Sequence, residues 1–303
     1  MTLDGDPIFG MAQAPNAPIG YLQRTRSYYQ ALGYGAPYEW AHFTEVPFQP
    51  LRKPLSECRI ALITTAAPYQ PGKGDQGPGA PCNAGAKFYR VYSADSADDP
   101  DLRISHLAID RQHTTATDIG RYFPLAALRR LATQSTLCRF ASLTQHFHGA
   151  PTNRSQRVTL EVDAPEIVAR CQADGADAAI LAPNCPVCHQ SVSLTARLLA
   201  ASGIATVIMG CARDIVEHVG VPRLLFSDFP LGNAAGRPND APSQAATLAF
   251  ALELLEAATS PRTTWQEDRF FKRPFSFPTA PRTRQNRAGT QSPTRLNLSL
   301  EAG

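Results

Sequence analysis

Between residues 59 and 258 the chain alternates between two periods. Residues 59–65, 176–182, 205–210 and 223–229 are short apolar runs of strand type; 104–110 reads the same way, and 137–147 has room for one more strand. Between them, residues 124–134, 164–173, 188–201, 213–219 and 242–258 carry apolar side chains at helical spacing. Asp163 ahead of Pro165 and Gly203 behind residue 201 supply start and stop signals. Strands alternating with helices predict an α/β fold: a mainly parallel, Rossmann-like three-layer sheet with helices on both faces. In such a sheet ligands bind at the carboxyl ends of the strands, so the residues after each strand are the candidates for a site.

Composition divides the chain. Residues 1–18 are polar, rich in Gly and Pro, and read as a disordered start. From residue 261 onward there are eight Lys or Arg against three acids, a net +5, which leaves −2 for residues 1–260. This stretch, 261–303, reads as a basic, Pro-rich, partly disordered tail, with 265–271 packing back onto the body. The body, 19–260, is then one α/β catalytic domain. Its loop 68–81 holds four Pro and four Gly, which no helix or strand survives. A formal net charge of +3 over 303 residues argues against a nucleic-acid binder. No apolar run approaches the roughly 20 residues of a membrane span. The start has no secretory pattern, so a cytoplasmic protein is expected.

The seven cysteines are an odd number and too dilute for a disulfide scaffold, so free thiols are available for chemistry. Two of them stand in Pro183-Asn184-Cys185-Pro186-Val187-Cys188-His189-Gln190, directly after a strand. Pro186 suits the first helical position, which makes Cys185 the N-cap and Cys188 the third helical residue. Free N–H groups and the positive end of the helix dipole favour thiolate there. His189, four residues after Cys185, shares its helix face and is placed to pair with the thiolate or carry a proton. Three chemistries fit: a reactive dithiol, a zinc site completed by Cys211, His146 or His148, and an inert buried pair. The reactive dithiol is the working assignment, with no metal ligated.

The other strand ends supply Thr64 and Thr65, His106 and Asp110, His146, Asn184, Arg213, and Asp228 with Gly232 as candidate substrate contacts. Cys211, which ends the strand after the motif, is a candidate third catalytic thiol. Neither a G-x-G-x-x-G fingerprint nor a phosphate loop is present.

Several strings occur together in order. They are Gly20-Tyr21-Leu22-x-Arg24-Thr25-Arg26, Gly33-Tyr34, Trp40, Pro54-Leu55-Ser56, Ala61-Leu62-Ile63-Thr64-Thr65, Ser105-His106, Phe123-Pro124-Leu125, the Cys-Pro-Val-Cys-His-Gln motif, Ala212-Arg213-Asp214 and Asp228-Phe229-Pro230-Leu231-Gly232. Over residues 19–258 the chain resembles the selenoprotein B family of glycine, sarcosine, betaine and D-proline reductases, and most of all its short stand-alone members. The resemblance implies a nucleophile that cleaves a C–N bond reductively, with Cys185 or Cys188 where the family uses selenium. The family's partner subunits bring a pyruvoyl carbonyl, and this chain shows no segment that would generate one. The expected function is therefore reductase-like cleavage of a C–N or C–O bond at a polarised carbon of a small metabolite. A thioether-type adduct is the expected intermediate. Two alternatives stay open: a sulfur-inserting or sulfur-transfer enzyme of specialised metabolism, and a metal- or redox-sensing binding protein. No cofactor is identified beyond an external dithiol, and the candidate partners are a thiol-reductant protein and a second copy of the chain.

Overall fold

The computed structural model describes residues 18–106, 108–111, 116–134, 140–152 and 155–267. The polar start up to residue 17, the tail from residue 268 and Cys138 lie outside them. In chain order the elements are α1 (Tyr21–Ala31), β1 (Arg59–Thr64), β2 (Ala67–Pro68), β3 (Tyr92–Asp95), β4 (Leu102–Arg103), α2 (Leu125–Gln134), β5 (Ser142–Leu143), β6 (His146–Gly149), the helical turn α3 (Gln156–Val158), α4 (Ala164–Ala173), β7 (Ala178–Ala182), α5 (Pro186–Ala201), β8 (Ala205–Gly210), α6 (Arg213–Val219), β9 (Arg223–Ser227), α7 (Ala241–Ala257) and β10 (Thr263–Glu267). The main sheet runs β10-β9-β8-β7-β1-β6-β3, with β5 also paired to β1. Its pairings are parallel except for β3, which lies antiparallel on β6. The α/β class with a mainly parallel sheet and helices on both faces is thus what the chain adopts.

Alternate strand residues enter two separate cores, because successive side chains leave a strand on opposite faces. Ile60 and Leu62 of β1, Ile180 of β7, Val207 and Met209 of β8 and Leu225 of β9 pack beneath Leu125 and Leu128 of α2 and Leu248, Leu252 and Leu255 of α7. Ala61 and Ile63, Ala179 and Leu181, Ile208, and Leu224 with Phe226 face the other way. There they meet Ile167 and Cys171 of α4, Val192, Ala196 and Leu199 of α5, and Val216 of α6. With both faces covered, the strand interiors are filled mainly by apolar residues, which explains the near-continuous apolar runs.

The structure departs from the expected elements in places. Residues 104–106 are not a strand; the short β4 ends at Arg103, paired antiparallel with β2. Ile104 and Ile109 still serve the core, but Ala108 has a positive φ of 60°, so the backbone turns there instead of extending. The region around 137–147 holds two short strands, β5 and β6, which follow one another along the same side of β1. The run at 223–229 ends as a strand at Ser227. Beyond residue 260, β10 adds an edge strand to β9, with Trp265 buried against Phe250. Helix α1 and strand β3 were not foreseen. The first is polar and lacks a side-chain N-cap of its own; the second, Tyr-Ser-Ala-Asp, is only half-buried. No helix among the described residues is long and apolar enough to cross a membrane.

Candidate functional site

From β1 the chain moves to β6 on one side, then returns past β1 to β7 and continues outward through β8 and β9. The strand order therefore reverses between β1 and β7, the position where open α/β sheets bind ligands. Two segments leave the sheet there, Thr65 after β1 and Asn184-Cys185 after β7. They are tied together, since the Asn184 N–H donates to Thr65 Oγ1 at 3.1 Å.

Cys185 is the N-cap of α5, as its place before Pro186 implies. Its sulfur accepts the Cys188 N–H at 3.3 Å. One turn of helix brings the two sulfurs together at the positive end of a 16-residue helix. Burial opposes charge on Cys188. Hydrogen bonds with Cys185, the nearby His106, and the Thr65 and Thr152 hydroxyls nevertheless hold its thiol well below the usual range. Burial and the adjoining sulfur push Cys185 well above it. The two thiols titrate as one coupled pair, with their surroundings favouring thiolate at Cys188 over Cys185. Thr65 can serve both neighbours at once, because its oxygen accepts from Asn184 while its hydroxyl proton stays free for the Cys188 sulfur.

His189 does not meet the sulfurs in the way expected of it. Its Nε2 accepts main-chain N–H groups from Cys211 and Ala212 at 3.0 and 3.2 Å. Nε2 is therefore the unprotonated nitrogen, and Nδ1–H donates to the Cys185 carbonyl oxygen at 2.7 Å. The ring is fully buried, and burial lowers its pKa to about 4. It is a neutral clamp between the end of β8 and the head of α5. Gly210 makes room for it: a Cβ there would sit 3.1 Å from the ring.

Cys211 does not join the dithiol. It is buried in a separate apolar cluster with Tyr21, Trp40, Ile215 and Phe229, and burial pushes its thiol up to about 12.

Cys185 and His106 open onto a cavity of about 960 Å³. Cys185 is only 7% exposed, and Cys188 lies behind it, fully buried. The far wall is α1 and the segment after it, which bring Tyr21, Tyr28, Tyr29, Tyr34 and Tyr38. Long-range bonds hold this wall in place. Asp214 Oδ2 accepts the Leu22 N–H at 2.7 Å, in place of a side-chain cap, and Gln190, last residue of the motif, donates to the Tyr38 hydroxyl at 2.9 Å. Burial, with Cys185 adding to it, raises the Tyr29 pKa above its usual value, so it remains a phenol. The lining carries both signs of charge: Arg24, Lys87 and Arg111 against Asp110 and Asp228. Burial raises the pKa of Asp228.

Of the expected substrate contacts, His106, Asp110 and Asp228 line the cavity. Thr65 and Asn184 stand behind the thiols. Gly232 takes a positive φ of 94° against Arg121 and Ile109, so it shapes the turn that carries Leu231 to the cavity wall. Thr64 is buried and its hydroxyl accepts the Ala66 N–H. Arg213 pairs with Glu217 at 2.9 Å along its own helix. His146 opens β6 instead of ending it, and its Nδ1 bonds Asp174 at 3.1 Å at the outer sheet edge. The tyrosine wall, Lys87, Arg111 and Thr152 were missed. Of the wall, Tyr21 and Tyr34, with Arg24 of the lining, occur in the family-like strings, which was the available signal; Tyr28, Tyr29 and Tyr38 do not.

No family model matches the chain, and no solved structure matches it. Among curated proteins it is similar to the glycine reductase complex component B subunit gamma of Symbiobacterium thermophilum. The two are 23% identical over 231 residues, which is 75% of this chain and 52% of that protein. The chain thus spans about half the length of that relative.

Proposed function

We propose that this chain is a thiol-dependent, reductase-like enzyme that cleaves a C–N or C–O bond at a polarised carbon of a small metabolite. The observation that carries the reading is the paired thiol system at the head of α5, with Cys185 facing the cavity and Cys188 behind it. The name of the curated relative, a reductase component, supports the reductase class. By resemblance to the selenoprotein B family, Cys185 or Cys188 stands where selenium would act, and Cys185 is the one that lines the cavity.

For an ammonium-bearing carbon next to an electron-withdrawing group, the steps balance as follows. Cys188 thiolate takes the Cys185 proton, and Cys185 sulfur displaces ammonia to form a thioether. The ammonia leaves as ammonium with the proton then carried by Cys188. The Cys188 thiolate attacks the Cys185 sulfur, the carbon departs with the electron pair and takes a proton from water, and a disulfide remains. Two electrons pass from the dithiol to carbon, and an external dithiol restores the resting state. A lining that holds Arg24, Lys87 and Arg111 together with Asp110 and Asp228 suits a substrate that bears both charges.

Intact-protein mass spectrometry tests this with α-amino and α-hydroxy acid derivatives and no added reductant. Single turnover is expected to oxidise the Cys185–Cys188 pair, and Cys188→Ser is expected to accumulate the Cys185 thioether. Sulfur appearing in the product, with a cysteine converted, would replace this reading by sulfur transfer.

A further inference from the structure

The donors around the dithiol fit a second kind of guest. A ring nitrogen of His106 and the sulfurs of Cys185 and Cys188 all lie within 4.8 Å of one another, and all three residues are buried. Donors that close can converge on one ion with bonds of about 2.0–2.3 Å after small side-chain shifts. The imidazole is already oriented: His106 Nε2–H donates to the Thr65 carbonyl oxygen at 2.6 Å, which leaves Nδ1 its lone pair. A metal-binding histidine typically spends its second ring N–H on a main-chain carbonyl or carboxylate in this way. Two thiolates and an imidazole suit a soft or borderline ion and not Mg²⁺ or Ca²⁺. His106 and Cys185 both line the cavity, so a fourth coordination position would face it. Asn184, which precedes Cys185, is fully buried, and neither its amide oxygen nor its nitrogen has a hydrogen-bond partner.

We infer that His106, Cys185 and Cys188 form a Zn²⁺ site whose fourth position opens to the cavity, so that zinc and substrate compete for the same two sulfurs. Binding exchanges protons for metal: both sulfurs bind as thiolates, the displaced proton goes to solvent, and no electrons move. The third protein ligand is His106, in place of the Cys211, His146 or His148 that sequence alone offered. Zinc occupancy silences the dithiol and shields it from oxidation. The site rests on the three donors and stands independently of the proposed reaction.

The test titrates Zn²⁺ into the reduced, metal-free full chain against a chromophoric chelator. One zinc per chain is expected, with Cys185 protected from iodoacetamide. His106→Gln keeps both sulfurs and is expected to weaken binding on the order of 100-fold. Cys185→Ser is expected to abolish it, and circular dichroism checks that each variant is folded. Co²⁺ is expected to give a thiolate-to-cobalt charge-transfer band that Cys185→Ser removes. His146→Gln, at the far sheet edge, is expected to bind as the parent does. Zinc binding that survives Cys185→Ser or is unchanged in His106→Gln, or that falls with His146→Gln, overturns the inference, as does cobalt bound without the sulfur band. If no metabolite is turned over while these metal results hold, the proposed reaction fails and the zinc site stands.

Discussion

The head of α5 and the β3–β6 edge both gather titratable side chains, but they are built to different ends. At the edge, His146 bonds Asp174, and His148 Nδ1 meets Ser93 Oγ at 2.8 Å. Arg170 donates to Ser93 at 2.6 Å and to Glu166 at 2.5 Å. Most of the groups there are spent on one another, at the outer strand and against α4, with the buried His148 Nε2 left without a hydrogen-bond partner. At the head of α5, the sulfurs are satisfied only by each other and by local donors, and one of them faces a cavity. The difference is position: β1 and β7 deliver their last residues to the crevice, whereas His146 is the first residue of its strand. A cluster of ionisable groups becomes a reactive site only where the sheet leaves room for a ligand.

The largest expected effect sharpens that contrast. Cys185→Ser should lower turnover on the order of 10⁴-fold, as loss of a covalent nucleophile does, while His146→Gln should leave turnover near the parent value. Steady-state assay of both variants decides it, and equal losses would mean that the edge belongs to the site.

A smaller effect is read at His148 of the edge, in the same pH window as buried His189. Burial lowers the His148 pKa from 6.5 to about 4. The unfolded chain therefore binds the extra proton first, so the stabilisation is complete above pH 6.5, falls between 6.5 and 4, and is gone below. A shift of that size is worth roughly 3 kcal/mol. Denaturant melts across that window should show His148→Gln with a shallower pH dependence than the parent, and an unchanged slope would place the titration elsewhere.

The smallest effect concerns Glu166, whose ion pair with Arg170 is more than a third exposed on both sides. Glu166→Gln should cost less than about 1 kcal/mol in the same melts. A cost of several kcal/mol would show that the edge network acts as one unit.

What could be read from sequence follows from how local each cause is. Pro186 after a strand and before helical spacing is enough to place Cys185 at the N-cap, because capping depends on a few consecutive residues. The doubly apolar strands likewise announce a covered parallel sheet. Cys211 was misjudged because standing at a strand end does not say which way the side chain leaves. Its N–H serves His189 while its sulfur enters the Trp40 cluster. His189 itself looked like a partner for sulfur, but helical spacing does not reveal that both ring nitrogens are taken by main chain. The tyrosine wall was invisible for another reason: it depends on bonds spanning 192 and 152 residues, from Leu22 to Asp214 and from Tyr38 to Gln190.

That reach sets a schedule for the newborn chain. Helix α1 is synthesised early, but Asp214, which fastens its first turn, follows Leu22 by 192 residues. At about 5–20 residues per second the wait is roughly 10–40 s. Throughout that interval the wall has nothing to dock on, and the thiols at 185 and 188, once made, lack their cover. Fastening the wall therefore waits on residue 214, and a chain broken off before it would carry the two thiols without the bond that anchors α1.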